Sequence, residues 1–532
     1  MSMNRNVEQW SVRKSAVESD RGSVASQHWL AAQAGAGALA AGGNAIDAAA
    51  ACAFALNVVE PWMCGIGGSG FMVVWVAAEK KAYVVNFQGV LAAGIDPADY
   101  PLDPNVPDAL MGFPGVKDNR NGVGYGSITV PGAVAGLSLA VERFGKLGLD
   151  SVVSPSIELA ERGMPVDWNA TLQIALEAGD LLNNPTARDI YLPGGVPAKP
   201  EQFLPQGNLS KTLRAIAEGG ASEFYTGRTG EMIAEDLQAG GSPITLQDLA
   251  DYEAIIHEPT LGEHRGATLY TAGDTSGGIR LIETLEYVAE HLDTNRPFGA
   301  HTYATYAHGL NKAFHTHKLK VGQIQKTGCT SHMSAVDAEG NMVALTYTLL
   351  NRFGSKVILP QTGMLMNNSV SYFDPRPGYP TSMQGKLRIN SSNMCPTVAV
   401  RDGEALFAVG ASGANHITPC TTQLAALLLD YGMSLEDAFN TPRVDASDRG
   451  SIRVDPAMGQ DVIDELAREF ELEIDQMIVF PKLYSCPAGV MRDAKAGKTW
   501  AIADKSSPIA GSAAEAPFKL DTTESDGVQV RP

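Results

Sequence analysis

At 532 residues the chain exceeds what one ordinary core holds, so it forms either several lobes or one large layered domain. A formal net charge of −19 with no basic run excludes long contacts with nucleic acid or an anionic membrane, and 44% hydrophobic against 19% charged residues excludes disorder. The most apolar stretch, Ala45 to Glu60, carries Asp47 and Asn57 and is too short to span a bilayer. Met1 to Asp20 lacks the apolar core of a secretory signal, so a soluble cytoplasmic protein is expected. The six cysteines (Cys52, Cys64, Cys329, Cys395, Cys420, Cys486) show no C-x-x-C spacing and suggest neither a disulfide framework nor a zinc knuckle.

In chain order, residues 28 to 59 carry Ala and Leu at helical spacing, broken by the turn Gly42-Gly43-Asn44, which predicts two helices. A glycine run, Gly65 to Gly70, leads into a predicted hairpin of Phe71 to Val76 and Ala82 to Phe87. Residues 90 to 126 read as a long loop. The region 131 to 295 is mostly helical by pattern, with helices at Pro131 to Phe144, Ser151 to Arg162, Gly230 to Ala239 and Gly278 to His291. Strands are predicted at 331 to 337, 342 to 348, 364 to 366, 397 to 400 and 405 to 409, and helices at 419 to 431 and 459 to 470. The small, polar tail from Asp504 is expected to be mobile. Helices and strands segregate rather than alternate, which favours a layered α+β sandwich over a doubly wound sheet.

Two local patterns invite a ligand and are set aside. Gly65-x-Gly67-x-x-Gly70 matches a dinucleotide fingerprint literally, but a helix precedes it and a strand follows, the reverse of the order that motif needs. His301, His308 and His315 share a helical face with His317 nearby, yet residues seven apart stand about 10 Å from each other, too far to share one ion. No metal and no cofactor is expected. Asp337-Ala338-Glu339-Gly340-Asn341 reads as a hairpin turn rather than a calcium loop.

The chemistry concentrates at Thr330-Ser331-His332-Met333-Ser334, with Thr346-Tyr347-Thr348 following and Gly413 far downstream. A threonine hydroxyl needs a base. If the bond before Thr330 is cut, its own α-amine, with a pKa near ~8, supplies that base. The same hydroxyl can cut that bond by attacking the Cys329 carbonyl in an N-to-O acyl shift, and Gly328 suits the turn this requires.

These blocks, together with Val24 to His28, Gly42 to Ala49, Val59-Glu60-Pro61, Gly65 to Phe71, Val130 to Gly136, Phe224 to Gly227, Leu246 to Tyr252 and Ser276-Gly277-Gly278, run in order along most of the chain. In them the sequence resembles the gamma-glutamyltransferase (gamma-glutamyltranspeptidase) family of N-terminal-nucleophile hydrolases. The resemblance implies a four-layered αββα sandwich and a precursor that cleaves itself into a large subunit, 1-329, and a small subunit, 330-532, sharing one core. It implies Thr330 as nucleophile, Thr348 as its hydrogen-bond partner, and the backbone of Gly413 and Ala414 as the oxyanion hole. The implied activity is hydrolysis or acyl transfer on a small-molecule amide with a γ-glutamyl or related acyl group, through a threonine acyl-enzyme, and higher oligomers are compatible with the family.

Departures from the family pattern fall in the acyl pocket. Gln88 stands where the arginine of R-E-x-A-P is expected, so a bidentate cation is missing. The asparagine after T-x-T is displaced by one residue to Asn351. In the stretch matching N-N-Q-x-x-D-F, Ser369 and Tyr372 replace the polar and acidic pair, and Ser392-Asn393 replaces Ser-Ser. Gln88, Asn351, Ser369, Tyr372, Ser392 and Asn393 are therefore the expected substrate residues of a pocket with a less charged acyl group. The alternatives are an acylase or amidohydrolase with a non-glutamyl substrate, and a relative that never cleaves and only binds a small molecule.

Overall fold

The computed structural model describes residues 12–109, 112–321, 328–447, 450–476 and 484–520. Among these, two seven-stranded antiparallel sheets lie face to face. One runs in the order Val17–Ser19, Lys498–Ala503, Cys486–Asp493, Glu404–Ser412, Thr397–Arg401, Ala267–Thr271, Thr260–His264. The other runs Gly511–Ala514, Ser23–Ser26, Cys329–Val336, Met342–Leu350, Ser69–Val76, Lys81–Phe87, Ile255–His257. Both sheets contain strands from before and from after residue 330.

Three apolar layers glue four structural layers together. Phe71, Val73, Trp75, Ala344, Val398 and Ala408 fill the space between the sheets. Helices Trp29–Ala40 and Ala45–Val59 cover the outer face of the second sheet through Ala48, Cys52, Leu56, Met72 and Leu345. Helices Gly278–His291, Ala300–Val321 and Ile417–Asp430 cover the first through Leu281, Leu310, Leu424 and Val409. This is the αββα sandwich the resemblance implied. The helix Ala45–Val59 is buried on every residue, which its run of alanines permits by letting backbones approach closely; Cys52 is one more small core side chain. Among the described residues no helix is long and apolar enough to cross a membrane.

Several sequence expectations change. Residues 364 to 366 make only single-residue bridges, Leu365 to Ile358 and Met366 to Gly67, because the backbone there is needed to support the glycine run rather than a strand partner. The tail from Asp504 is not loose throughout, since Gly511–Ala514 adds an edge strand to Ser23–Ser26. Helix 459 to 470 shortens to Gln460–Leu466. Asp337 to Asn341 is a turn: the Asp337 N–H donates to the Asn341 carbonyl at 3.2 Å, with Gly340 at φ +90°. In the glycine run, a Cβ on Gly67 or Gly68 would sit 2.2 or 2.3 Å from the carbonyl oxygens of Leu365 and Thr348, so these glycines serve close backbone packing.

Candidate active site

The strand beginning at Cys329 starts with an irregularity. Cys329 stands opposite Leu350 and Ser331 opposite Tyr347, so Thr348 and Leu349 together face Thr330, a bulge that re-aims side chains where the ladder begins. Gly328, at φ +144°, makes the preceding turn in a conformation that side-chain-bearing residues rarely adopt. Leu350 is held at φ +87° while its N–H donates to the Thr348 hydroxyl at 2.7 Å. That bond aims the Thr348 hydroxyl proton at the Cys329 carbonyl oxygen, to which it donates. The Thr330 hydroxyl donates to the same oxygen at 2.6 Å, and the residue is 4% exposed. Thr348 thus meets the Cys329 carbonyl, where the sequence reading paired it with Thr330 itself.

His332, one turn of pleat beyond, is not available as a base. Its Nδ1 and Nε2 face the hydroxyls of Thr346 and Ser334 at 2.8 and 2.9 Å, and burial holds its pKa down at about 3. Its ring fills the gap between the sheets because Gly410 on the facing strand has no Cβ; one there would lie 2.3 Å from the ring.

Gly413 and Ala414 end the strand Glu404–Ser412 in left-handed geometry, with φ +128° and +55°. The Ser412 hydroxyl donates to Gln27 Oε1 at 3.0 Å, and Gln27 Nε2 donates to the Cys486 carbonyl at 2.8 Å, so the second sheet braces this turn. The His416 N–H donates to the Gly413 carbonyl at 3.0 Å, and the helix Ile417–Asp430 begins at once, so the positive end of its dipole lies beside Gly413 and Ala414.

A cleft of about 520 Å³ joins these parts, lined by Gly328, Cys329, Asn351, Gly413 and Ala414. Its far wall was not singled out from sequence. Gln173 and Glu177, one helical turn apart, hold Arg352 and Lys356: Arg352 Nε donates to Gln173 Oε1 at 2.7 Å and Lys356 Nζ lies 2.9 Å from Glu177 Oε2. His416, paired through Nδ1 with the Asp445 carboxylate, lines the near wall with Arg453. The adjacency of His416 to Gly413-Ala414 was the only sequence signal for any of these.

Of the expected substrate residues, the cleft lining includes Asn351 alone, whose N–H donates to Asn368 Oδ1 at 3.0 Å. Gln88 is fully buried, with its amide between Ser69 and Met394. Ser369 is buried, its N–H donating to Asn367 Oδ1 at 3.0 Å. Tyr372 and Leu350 lie in one apolar cluster with Leu91, Tyr100 and Phe113. Ser392 and Asn393 are gripped by Arg280, a fully buried guanidinium whose Nη2 donates to Asn393 Oδ1 at 2.6 Å and to the Ser392 carbonyl at 3.3 Å.

An αββα sandwich with a bulged threonine strand facing such a cleft is the architecture of an N-terminal-nucleophile hydrolase. A solved cephalosporin acylase from Bacillus halodurans shares this fold with a TM-score of 0.82 over 96% of this chain and 99% of its own, at 23% identity. A family model described as Gamma-glutamyltranspeptidase matches residues 31–321 and 304–508. The Acylase ACY 1 proenzyme of Pseudomonas sp. (strain SE83) is 32% identical over 477 residues, 82% of this chain and 85% of the relative. The Glutathione hydrolase proenzyme of Escherichia coli (strain K12) is 30% identical over 480 residues, 80% of this chain and 81% of the relative. The chain belongs to the gamma-glutamyltranspeptidase family and is an enzyme of its amide hydrolase and acyltransferase type.

Proposed function

We propose that the chain cuts itself before Thr330 and then hydrolyses small-molecule amides through a Thr330 acyl-enzyme. The observation that carries this is the meeting of the Thr330 and Thr348 hydroxyls at the Cys329 carbonyl oxygen. Attack of Thr330 Oγ1 on the Cys329 carbonyl carbon breaks the C–N bond, the nitrogen takes the hydroxyl proton, and water then hydrolyses the ester. Thr348 donates to the oxygen as negative charge develops there. The freed α-amine serves as base for the next attack, on the substrate, with the N–H groups of Gly413 and Ala414 receiving the oxyanion. Residues 1-329 and 330-532 form the two subunits in this reading. Intact mass under denaturing conditions tests it. Two fragments meeting at 329/330, absent in Thr330→Ala, are expected; a chain that stays whole would leave a binding protein that never matures.

The acyl group proposed is one without a zwitterionic glutamyl head. Gln88 is neutral and turned into the core, and Tyr372 and Leu350 pack in an apolar cluster, so no charge stands at the positions where the family pattern carries arginine and aspartate. The acylase among the relatives agrees with this choice. Turnover of γ-glutamyl p-nitroanilide against a panel of neutral acyl anilides decides it, and clear preference for the glutamyl compound would sink the idea. A cytoplasmic location and assembly into higher oligomers belong to the same proposal, to be checked by cell fractionation and light scattering.

A further inference from the structure

The cation missing from the expected acyl pocket has a counterpart elsewhere in the cleft, at Arg352. This residue lies two positions beyond Leu350, which stands opposite Cys329 in the ladder. Paired antiparallel residues are about 5.5 Å apart or less, and each further residue adds at most about 3.6 Å, so the Cα atoms of Arg352 and Cys329 lie within roughly 13 Å. Both residues line the same cleft. An arginine side chain and a small substrate together fill such a span.

The guanidinium is aimed. Asn169, Gln173 and Glu177 follow one another along one face of the helix Trp168–Leu181. Gln173 Nε2 donates to Asn169 Oδ1 at 3.2 Å, which leaves Gln173 Oε1 to accept the Arg352 Nε–H at 2.7 Å. Asn169 and Gln173 are both buried, and burying two amides is unfavourable without bonds of this kind. Glu177 is committed elsewhere: its carboxylate lies 2.9 Å from the nearly buried Lys356 Nζ and 3.7 Å from Arg352 Nη1, beyond hydrogen-bond range. Asp180, exposed on the same wall, forms no ion pair with Arg352 among the described residues. The Arg352 side chain is 31% exposed, and its Nη2 makes no hydrogen bond to any described residue. A guanidinium held at Nε by a neutral amide keeps its Nη1–Nη2 end for a carboxylate, which it grips through two parallel bonds.

We propose that Arg352 is a specificity-determining residue of the cleft: it holds a carboxylate that the substrate carries away from its scissile amide, with Gln173 as positioning residue. The inference deepens the amide-hydrolase reading above and rests on it. The carboxylate belongs either to the acyl chain or to the leaving amine, and its contact with Arg352 is the same in both cases.

Three p-nitroanilides given to the self-cleaved protein test this. One is the uncharged pentanoyl compound, the second is the glutaric acid monoamide, with a carboxylate at the acyl end, and the third is a pentanoyl anilide with a carboxylate on its ring. For at least one of the two acids, kcat/KM should exceed that of the uncharged compound about tenfold or more, chiefly through KM. The acid that is favoured identifies the end of the substrate that Arg352 reads. Arg352→Gln should bring this ratio close to one, and Arg352→Lys, which keeps the charge without the fork, should retain only part of it. Gln173→Leu, which leaves the charge unaimed, should raise KM for the favoured acid more than for the uncharged compound. A native protein that prefers neither acid, or a ratio that survives in full in either arginine variant, would overturn the proposal. Should Arg352→Gln fail to mature, the native ratio and Arg352→Lys decide. Turnover of the pentanoyl compound without any preference removes this inference alone, whereas a cleaved protein that hydrolyses none of the three removes the hydrolase reading with it.

Discussion

Thr348 owes its aim to one extra residue in the ladder, since the bulge opposite Thr330 turns its hydroxyl onto the Cys329 carbonyl and the Leu350 N–H holds it there. Loss of one donor to a developing oxyanion typically costs 10²–10³-fold. Thr348→Ala should therefore lengthen the half-life of the precursor about 100-fold, followed by gel or mass spectrometry, and Thr348→Ser should recover most of the rate. At Ala414 the backbone lies at φ +55°, where a Cβ costs roughly 1 kcal/mol. Ala414→Gly should raise the unfolding free energy from urea titration by up to that amount, reduced by the extra freedom glycine has in the unfolded chain. Thr330, Thr348 and Gly413 could be singled out as candidates in sequence because their neighbours along the chain define them. Asp445 was not, because its meaning comes from a contact 29 positions away. Gln88, Ser369, Ser392 and Asn393 could be found as positions, but no local pattern shows that a buried Arg280 or an apolar cluster holds their surroundings.

Among the elements, those with a clean period were read well: Gly278–His291 was predicted to its ends, and the hairpin at residues 71 to 87 was found. The strand Cys486–Asp493 escaped because it contains Pro487 and Gly489, which ordinarily argue against a strand in mid-sheet. Gly489 is tolerated there because a side chain would press on Phe439, at 2.9 Å from its ring. The short strands between 255 and 271 are missed for a different reason: they alternate at or near the surface inside a region whose pattern is otherwise helical. The same logic of absent side chains joins the two sheets. Gly410→Ala would drive a methyl group into the His332 ring, and overpacking of this kind costs typically 1–3 kcal/mol. A matching loss in unfolding free energy is expected in denaturant titration, with partial recovery when His332→Ser is added to make room.

For the whole molecule, interleaving is the governing property. Ser23–Ser26 lies between two strands from beyond residue 330, and Met342–Leu350 pairs with Ser69–Val76. Fragments 1-329 and 330-532 should therefore elute together in native gel filtration and separate only in denaturant. Acid should weaken the assembly. His28, His317 and His332 are held at about 3 against an ordinary 6.5, in each case chiefly by burial. The unfolded chain binds more protons between these values, so stability is complete above pH 6.5 and declines as pH falls toward 3. Melting temperature should drop from pH 7 to pH 5, and His332→Gln should make that drop shallower.

The strand Gly511–Ala514 carries one more consequence. It occupies the open flank of Ser23–Ser26, whose four residues are all buried. Bare flanks of this kind recruit strands from other molecules. The strand Gly511–Ala514 is thus a seal against self-association, and a protein shortened before Gly511 should form aggregates on storage even while its chemistry survives.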